Sequence, residues 1–177
     1  MLRFNPDDYI NITSFTHHPY YLPFVLEVPD NFSNGQYYNI PLKEMTELVK
    51  KALTNGYTVL WDADVSNPGF NAKQGLAMNL STGQDLKPES KEEKTDAVSR
   101  QTAYENLTTQ DDHLMHIVGL EKSKDGKVFF IVKNSWGDTG PYGGYVHVSE
   151  SYFEMNTISL VLPKAALPQS ITDKLKK

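Results

Sequence analysis

The sequence predicts an α+β fold, a largely antiparallel sheet with peripheral helices, and three observations predict it. Two apolar runs, residues 113–120 and 128–132, flank a charged, glycine-containing turn at 121–127, the pattern of a β-hairpin. Met45, Leu48, Val49, Ala52 and Leu53 form one apolar stripe at helical spacing. Short strand-like runs at 57–61, 145–148 and 158–162 supply further edges for the hairpin to pair with.

Composition bounds the reading before any motif does. A chain of 177 residues suits one domain, and a compact chain of that size buries about 70% of its unfolded surface. Hydrophobic content of 39% and charged content of 22% are those of a globular protein. A net charge of −5 argues against nucleic acid or an anionic membrane surface as partner. No stretch approaches the ~20 apolar residues of a membrane-spanning helix, and residues 1–6 lack the apolar run of a signal peptide, which leaves the compartment open. The chain contains no cysteine, so it forms no disulfide and no thiolate metal site.

Along the chain, residues 1–36 mix Pro, Asn, Asp and aromatic residues without periodicity and are expected to be irregular, extended segments packed on the domain or on a missing partner half. A helix is predicted over 41–54, with Pro41 in its first turn and Gly56 stopping it. A strand follows at 57–61, with Asp62 and Asp64 at its end in a structural or turn role. Residues 81–96 are polar with mixed charge and read as a solvated loop, and 97–105 as a helix running towards the turn before His113. After the hairpin come a glycine-rich reversal at 138–144, a strand at 145–148, a short capped helix at 149–155 and a closing strand at 158–162. The whole is one domain, with 37–168 as its main body and 169–177 as a tail.

The hairpin carries the chemistry. His113 stands near the start of its first strand and Asn134 at the end of its second, so antiparallel pairing brings an imidazole and an amide together across 21 positions. An asparagine carbonyl bonded to one imidazole nitrogen fixes the ring's orientation and tautomer and leaves the other nitrogen free to take a thiol proton. Asn134 orients; His113 transfers the proton. Trp136, packed over that contact, would exclude water and strengthen the bond.

No metal centre is expected. In a strand, His113 and His116 point to opposite faces, so His116 reads as a structural side chain on the far face, and His147 likewise. His17 and His18 lie among aromatic residues without a third convergent ligand and read as packing.

The segments His-Leu-Met-His-Ile-Val-Gly at 113–119, Lys-Asn-Ser-Trp-Gly at 133–137 and Gly-Gly-Tyr-Val-His-Val-Ser at 143–149 resemble the His and Asn segments of papain-like cysteine peptidases, whose Cys-His-Asn triad is a standard variant of the catalytic triad. Gly-Tyr-Thr-Val-Leu-Trp-Asp-Ala-Asp-Val at 56–65 and Arg-Gln-Thr-Ala-Tyr-Glu-Asn at 100–106 are most similar to the bleomycin hydrolase or aminopeptidase C branch. The resemblance covers roughly residues 37–168, strongly at 111–149. It implies the β-barrel, His/Asn-bearing half of the papain fold, peptide substrates and no cofactor. It also implies that the segment bearing Trp61 and Asp64, together with Asp112, borders the substrate cleft.

In that family the nucleophile is a cysteine ~130–150 residues before the histidine, preceded by a glutamine that binds the oxyanion. Only 112 residues precede His113. Gln74-Gly75-Leu76-Ala77 mimics the glutamine-to-cysteine signature, but it lies too close to His113 and does not continue as an amphipathic helix. The expectation is therefore the C-terminal portion of a cysteine aminopeptidase, inactive alone because it lacks a thiolate. Its partners would be a peptide substrate and either a Cys-bearing N-terminal half or further copies of itself. The rival expectation is a non-catalytic binding module, a pseudoenzyme or complementing fragment with the same fold. Family members can gain exopeptidase specificity from a C-terminal tail lying in the cleft, and residues 163–177, ending Leu-Lys-Lys, depart from that pattern.

Overall fold

A computed structural model describes residues 5–175. In chain order its elements are β1 (Tyr9–Thr13), β2 (Pro23–Val25), β3 (Gln36–Asn39), α1 (Leu42–Thr54), β4 (Val59–Ala63), β5 (Phe70–Asn71), β6 (Leu76–Ala77), α2 (Ala97–Glu105), β7 (His113–Lys122), β8 (Val128–Lys133), β9 (Tyr145–Ser149), α3 (Glu150–Asn156), β10 (Thr157–Pro163) and α4 (Gln169–Leu175). The strands form one mixed sheet in the order β2-β3-β1-β10-β4-β7-β8-β9-β6-β5. Most pairings are antiparallel; β1 with β3 and β6 with β9 are parallel.

The centre of the sheet is the part the sequence specifies most strongly. Val59, Trp61 and Ala63 of β4 pair with Ile117, Met115 and His113 of β7, so apolar positions line up on one face. Phe130 and Val132 of β8 and Val146 and Val148 of β9 continue that face. Helix α1 lies against it with Met45, Leu48, Val49 and Ala52 buried, each larger side chain adding roughly 1.5–3 kcal/mol by burial. Tyr152 and Phe153 of α3 complete the core. Ser149 caps α3 by accepting from Tyr152 N, and Asp96 caps α2 in a box with Ser99.

Two expectations are corrected here. The sheet is open rather than a closed barrel: its ends are β2 and β5, and among the described residues no pairing joins them. Closure needs staggered strands of adequate length, whereas β2 has 3 residues and β5 and β6 have 2 each. The segment read as irregular, residues 1–36, contributes β1, β2 and the start of β3, with Ile10 and Ile12 reaching the core; residues 1–4 lie outside those described. The polar segment 81–96 is the largely exposed loop expected, tethered at Glu92, which accepts from Asn79 N at 2.9 Å and from the Ser149 hydroxyl.

The tail is a helix. Ile171 of α4 enters the core and Lys174 pairs with Glu44 of α1 at 2.8 Å, while Lys176 and Lys177 lie outside the described residues. Across the sheet, Thr157, Ala63 and His113 lie in one row, whereas α4 follows Pro163 at the other end of β10. The tail helix therefore packs away from His113. No helix among the described residues is long and apolar enough to cross a membrane.

Candidate active site

His113 opens β7, with its Cα opposite Ala63 of β4. Strand alternation turns His113, Met115 and Ile117 to the helix-covered face and Leu114 and His116 to the other. Asn134 directly follows β8. With His116 paired to Lys133, extending the register would set Asn134 opposite Met115, so His113 and Asn134 are diagonal neighbours on the same face rather than direct partners. The backbone N–H of Asn134 donates to Gly144 O at 3.0 Å, which holds the residue at the strand's exit.

One oxygen organises the site. Asn134 Oδ1 accepts from Ser135 N at 2.7 Å and lies 2.8 Å from His113 Nε2. A backbone N–H can only donate, so the amide is oriented with its oxygen inward. The imidazole must then donate from Nε2, and the neutral tautomer that does so carries its lone pair on Nδ1. Asn134 is 6% exposed, and its Nδ2 is buried without an acceptor among the described residues. The Trp136 ring lies 4.8 Å from the His113 ring, tilted by 34°, and edge-on to Phe70. It covers the imidazole on one side while remaining 48% exposed itself.

The loop after Trp136 is built for close backbone approach. Gly144 has φ +82°, and a Cβ there would lie 2.2 Å from Gly137 O. At Gly140, with φ +74°, a Cβ would meet Ala72 O at 2.4 Å. These contacts fold residues 137–144 back so that Gly144 O can hold Asn134.

The remaining predicted residues scatter. Trp61 is 0% exposed, inside the core, with Nε1 donating to Thr157 Oγ1 at 2.8 Å, so it cannot border a cleft; its place between Val59 and Ala63 on the apolar face dictates this. Asp64 is 1% exposed and shapes the turn after β4, accepting from Ser66 N at 2.8 Å and Gln110 N at 2.9 Å. The Tyr152 hydroxyl, which burial pushes well above its ordinary pKa, donates to Asp64 O at 2.8 Å. Asp112 is exposed beside His113, with Oδ2 accepting from Val65 N at 3.1 Å. His116 meets Thr58 Oγ1 at 2.7 Å and His147 is tied to Glu121, both away from the site. His17 and His18 stack among Phe15, Phe24 and Tyr104. Gln74-Gly75 precedes the short strand β6, not a helix. Sequence reasoning did not single out Ser135 or Gly144 as supports of the site, although the glycine-rich run marked the place.

Comparison with known proteins bears on the family and the fold. The sequence pattern of the Peptidase C1-like family matches residues 1–177. Aminopeptidase C of Lactobacillus helveticus is 25% identical over 156 residues, which cover 86% of this chain and 34% of that protein. Bleomycin hydrolase of Homo sapiens is 27% identical over 172 residues, covering 90% of this chain and 36% of that protein. The chain thus spans about a third of the length of these relatives. The crystal structure of PepW from Lactobacillus rhamnosis superposes with a TM-score of 0.73 at 23% identity, over 98% of this chain and 39% of that one, and shows the same fold.

Proposed function

The chain belongs to the Peptidase C1-like family, and on that premise we propose that it supplies the imidazole and amide of a thiol aminopeptidase whose nucleophile comes from outside these residues. His113 Nδ1 takes the thiol proton, the thiolate attacks the peptide carbonyl, and the imidazolium returns the proton to the departing amine. Asn134 holds the ring through Nε2, and Trp136 shields that bond. The single observation that carries the reading is the 2.8 Å contact between His113 Nε2 and Asn134 Oδ1, on an oxygen whose orientation Ser135 N fixes independently.

The substrate is then a peptide, and the missing cysteine and oxyanion glutamine belong to a Cys-bearing N-terminal half, on the same polypeptide or another, or to a neighbouring copy. The test is reconstitution: this chain is combined with a Cys-bearing segment of an aminopeptidase C-type protein and assayed on fluorogenic aminoacyl amides. Hydrolysis should require both parts and disappear with His113→Ala. Hydrolysis by the isolated chain, insensitive to thiol reagents, would refute the reading.

A second reading, a binding module that retains the cleft without chemistry, is favoured by one observation, the absence of cysteine from all 177 residues. Peptide binding to the isolated chain, with no activity on reconstitution, distinguishes it.

A further inference from the structure

Three consecutive residues immediately before His113 are each stitched to the end of β4. Gln110 N donates to Asp64 Oδ2 at 2.9 Å, and Val65 N donates to Asp112 Oδ2 at 3.1 Å. Between these two stitches Asp111 and Asp62 meet carboxyl to carboxyl. Asp62 is 5% exposed; its Oδ2 accepts from the Ser159 hydroxyl at 3.2 Å, while its Oδ1 is buried with no donor. Asp111 repeats the pattern, with Oδ2 accepting from Asp30 N at 2.7 Å and a buried Oδ1 that has no donor. Each carboxyl has one satisfied oxygen and one without a donor, and two adjacent carboxylates repel each other unless one is neutral or a cation lies beside them.

We propose that Asp62 and Asp111 share a single proton, and that this acid pair is a positioning device for His113, the middle stitch of a clasp between β4 and the entrance to β7. One proton satisfies both orphaned oxygens at once. Among the described residues that face the pair there is no cation. Facing the pair are Ser159 of β10, Leu114 of β7, Tyr37 of β3, Asp30 of the 29–31 turn and Tyr104 of α2, which also faces Glu27. Among the described residues no ion pair reaches either carboxylate, and no group of three potential ligands could hold a metal ion. Burial first, and then the adjacent Asp111, push the Asp62 carboxyl up to about 8. Burial and then the charge of Asp62 raise Tyr37 as well, keeping it neutral. The protonated form is thus the one the fold selects. Because the folded-state pKa is raised, the clasp is complete at low pH and is lost as pH rises through about 8. Ala63, the next residue after Asp62, is the strand partner of His113, so loosening the pair acts directly on the start of β7.

The positioning role rests on the reading of His113 as the acid–base group; the shared proton does not, and the test separates the two. Carboxyl carbon and imidazole nitrogen NMR signals of the isolated chain are followed through the neutral and alkaline range. One carboxyl of the pair should keep the chemical shift of a neutral acid at neutral pH and lose it near a pH of about 8, and the His113 Nε2–H signal should shift in the same step. Asp62→Asn, which replaces the shared proton with an amide donor, should abolish that step in His113. Two ionised carboxylates throughout the neutral range, or a His113 curve unchanged by Asp62→Asn, would overturn the proposal. Should that variant fail to fold, Asp111→Asn and the carboxyl signals of the unsubstituted chain decide. If reconstitution gives no hydrolysis while these signals appear as described, the peptidase reading fails and the acid pair stands.

Discussion

The amide N–H of Ser135 lies 2.7 Å from Asn134 Oδ1, the same oxygen that the His113 ring reaches at 2.8 Å. A main-chain donor that cannot change role thereby dictates the tautomer of a side chain 22 positions away. Asn134→Ala removes the shared acceptor. The imidazole should then populate both tautomers, visible in its nitrogen chemical shifts, and the reconstituted peptidase should lose about 10²-fold in kcat/KM through misorientation. An unchanged tautomer in this variant would show that something other than Asn134 orients the ring.

Gly144 connects loop shape to the same pair. Its carbonyl holds Asn134 N at 3.0 Å, its φ is +82°, and a Cβ would sit 2.2 Å from Gly137 O. Gly144→Ala should cost roughly 2–4 kcal/mol, combining left-handed strain with a backbone collision. Gly126, at φ +88° with nothing within 4 Å of a Cβ, isolates the strain alone, so Gly126→Ala should cost only about 1 kcal/mol. Denaturant midpoints of the two variants measure the difference, and equal losses would remove the collision from the account.

Much of this was legible because local signals agreed with tertiary need. The stripe of α1, the cap of α3 and the β7–β8 hairpin each carry a period or a cap within a few residues, and each forms where expected. The open edges were not legible. Two-residue strands such as β5 and β6 have no period, and β1 and β3 acquire their pairing from β10 and from each other, far along the chain. The family resemblance carried the expectation of a closed barrel past what strand lengths support. Trp61 was misplaced for a simpler reason: alternation along β4 puts it with Val59 and Ala63 on the apolar face, a stronger constraint than its nearness to the acidic turn.

The polar segment 81–96 provides a pH test. Glu92 is raised above its ordinary pKa chiefly by burial, against the lowering effect of bonds from the Ser149 hydroxyl and Asn79 N. With a raised folded-state value, its contribution to stability is full below the unfolded pKa of about 4.3 and is lost as pH rises through the folded value. Glu92→Gln keeps an acceptor for Asn79 N and Ser149 but does not ionise. The variant should melt higher than the parent at neutral pH, with the advantage shrinking on acidification. A melting temperature that falls equally with pH in both chains would show that Glu92 ionises as freely folded as unfolded.

Arg100 tests how the N-terminal strands are anchored. Its side chain is buried; Nε donates to Ser14 O at 2.7 Å, Nη1 donates to Glu154 O at 3.1 Å and Met155 O at 3.3 Å, and the guanidinium sits 4.5 Å over the Phe15 ring. One cation thus ties α2, α3 and the chain after β1 together, at the cost of desolvation that pushes its pKa below the ordinary arginine value. Arg100→Met fills similar volume and removes the buried charge, but strands three carbonyls. Buried charges are often replaceable by apolar residues when both partners change, whereas here the partners are main-chain acceptors that cannot be removed. The loss should therefore be about 3–5 kcal/mol, with amides near Ser14 and Phe15 exchanging faster than those of α1. Arg100→Lys, which can reach fewer of the three carbonyls, should fall between. A methionine variant as stable as the parent would mean that the cost of burying the guanidinium cancels all its bonds.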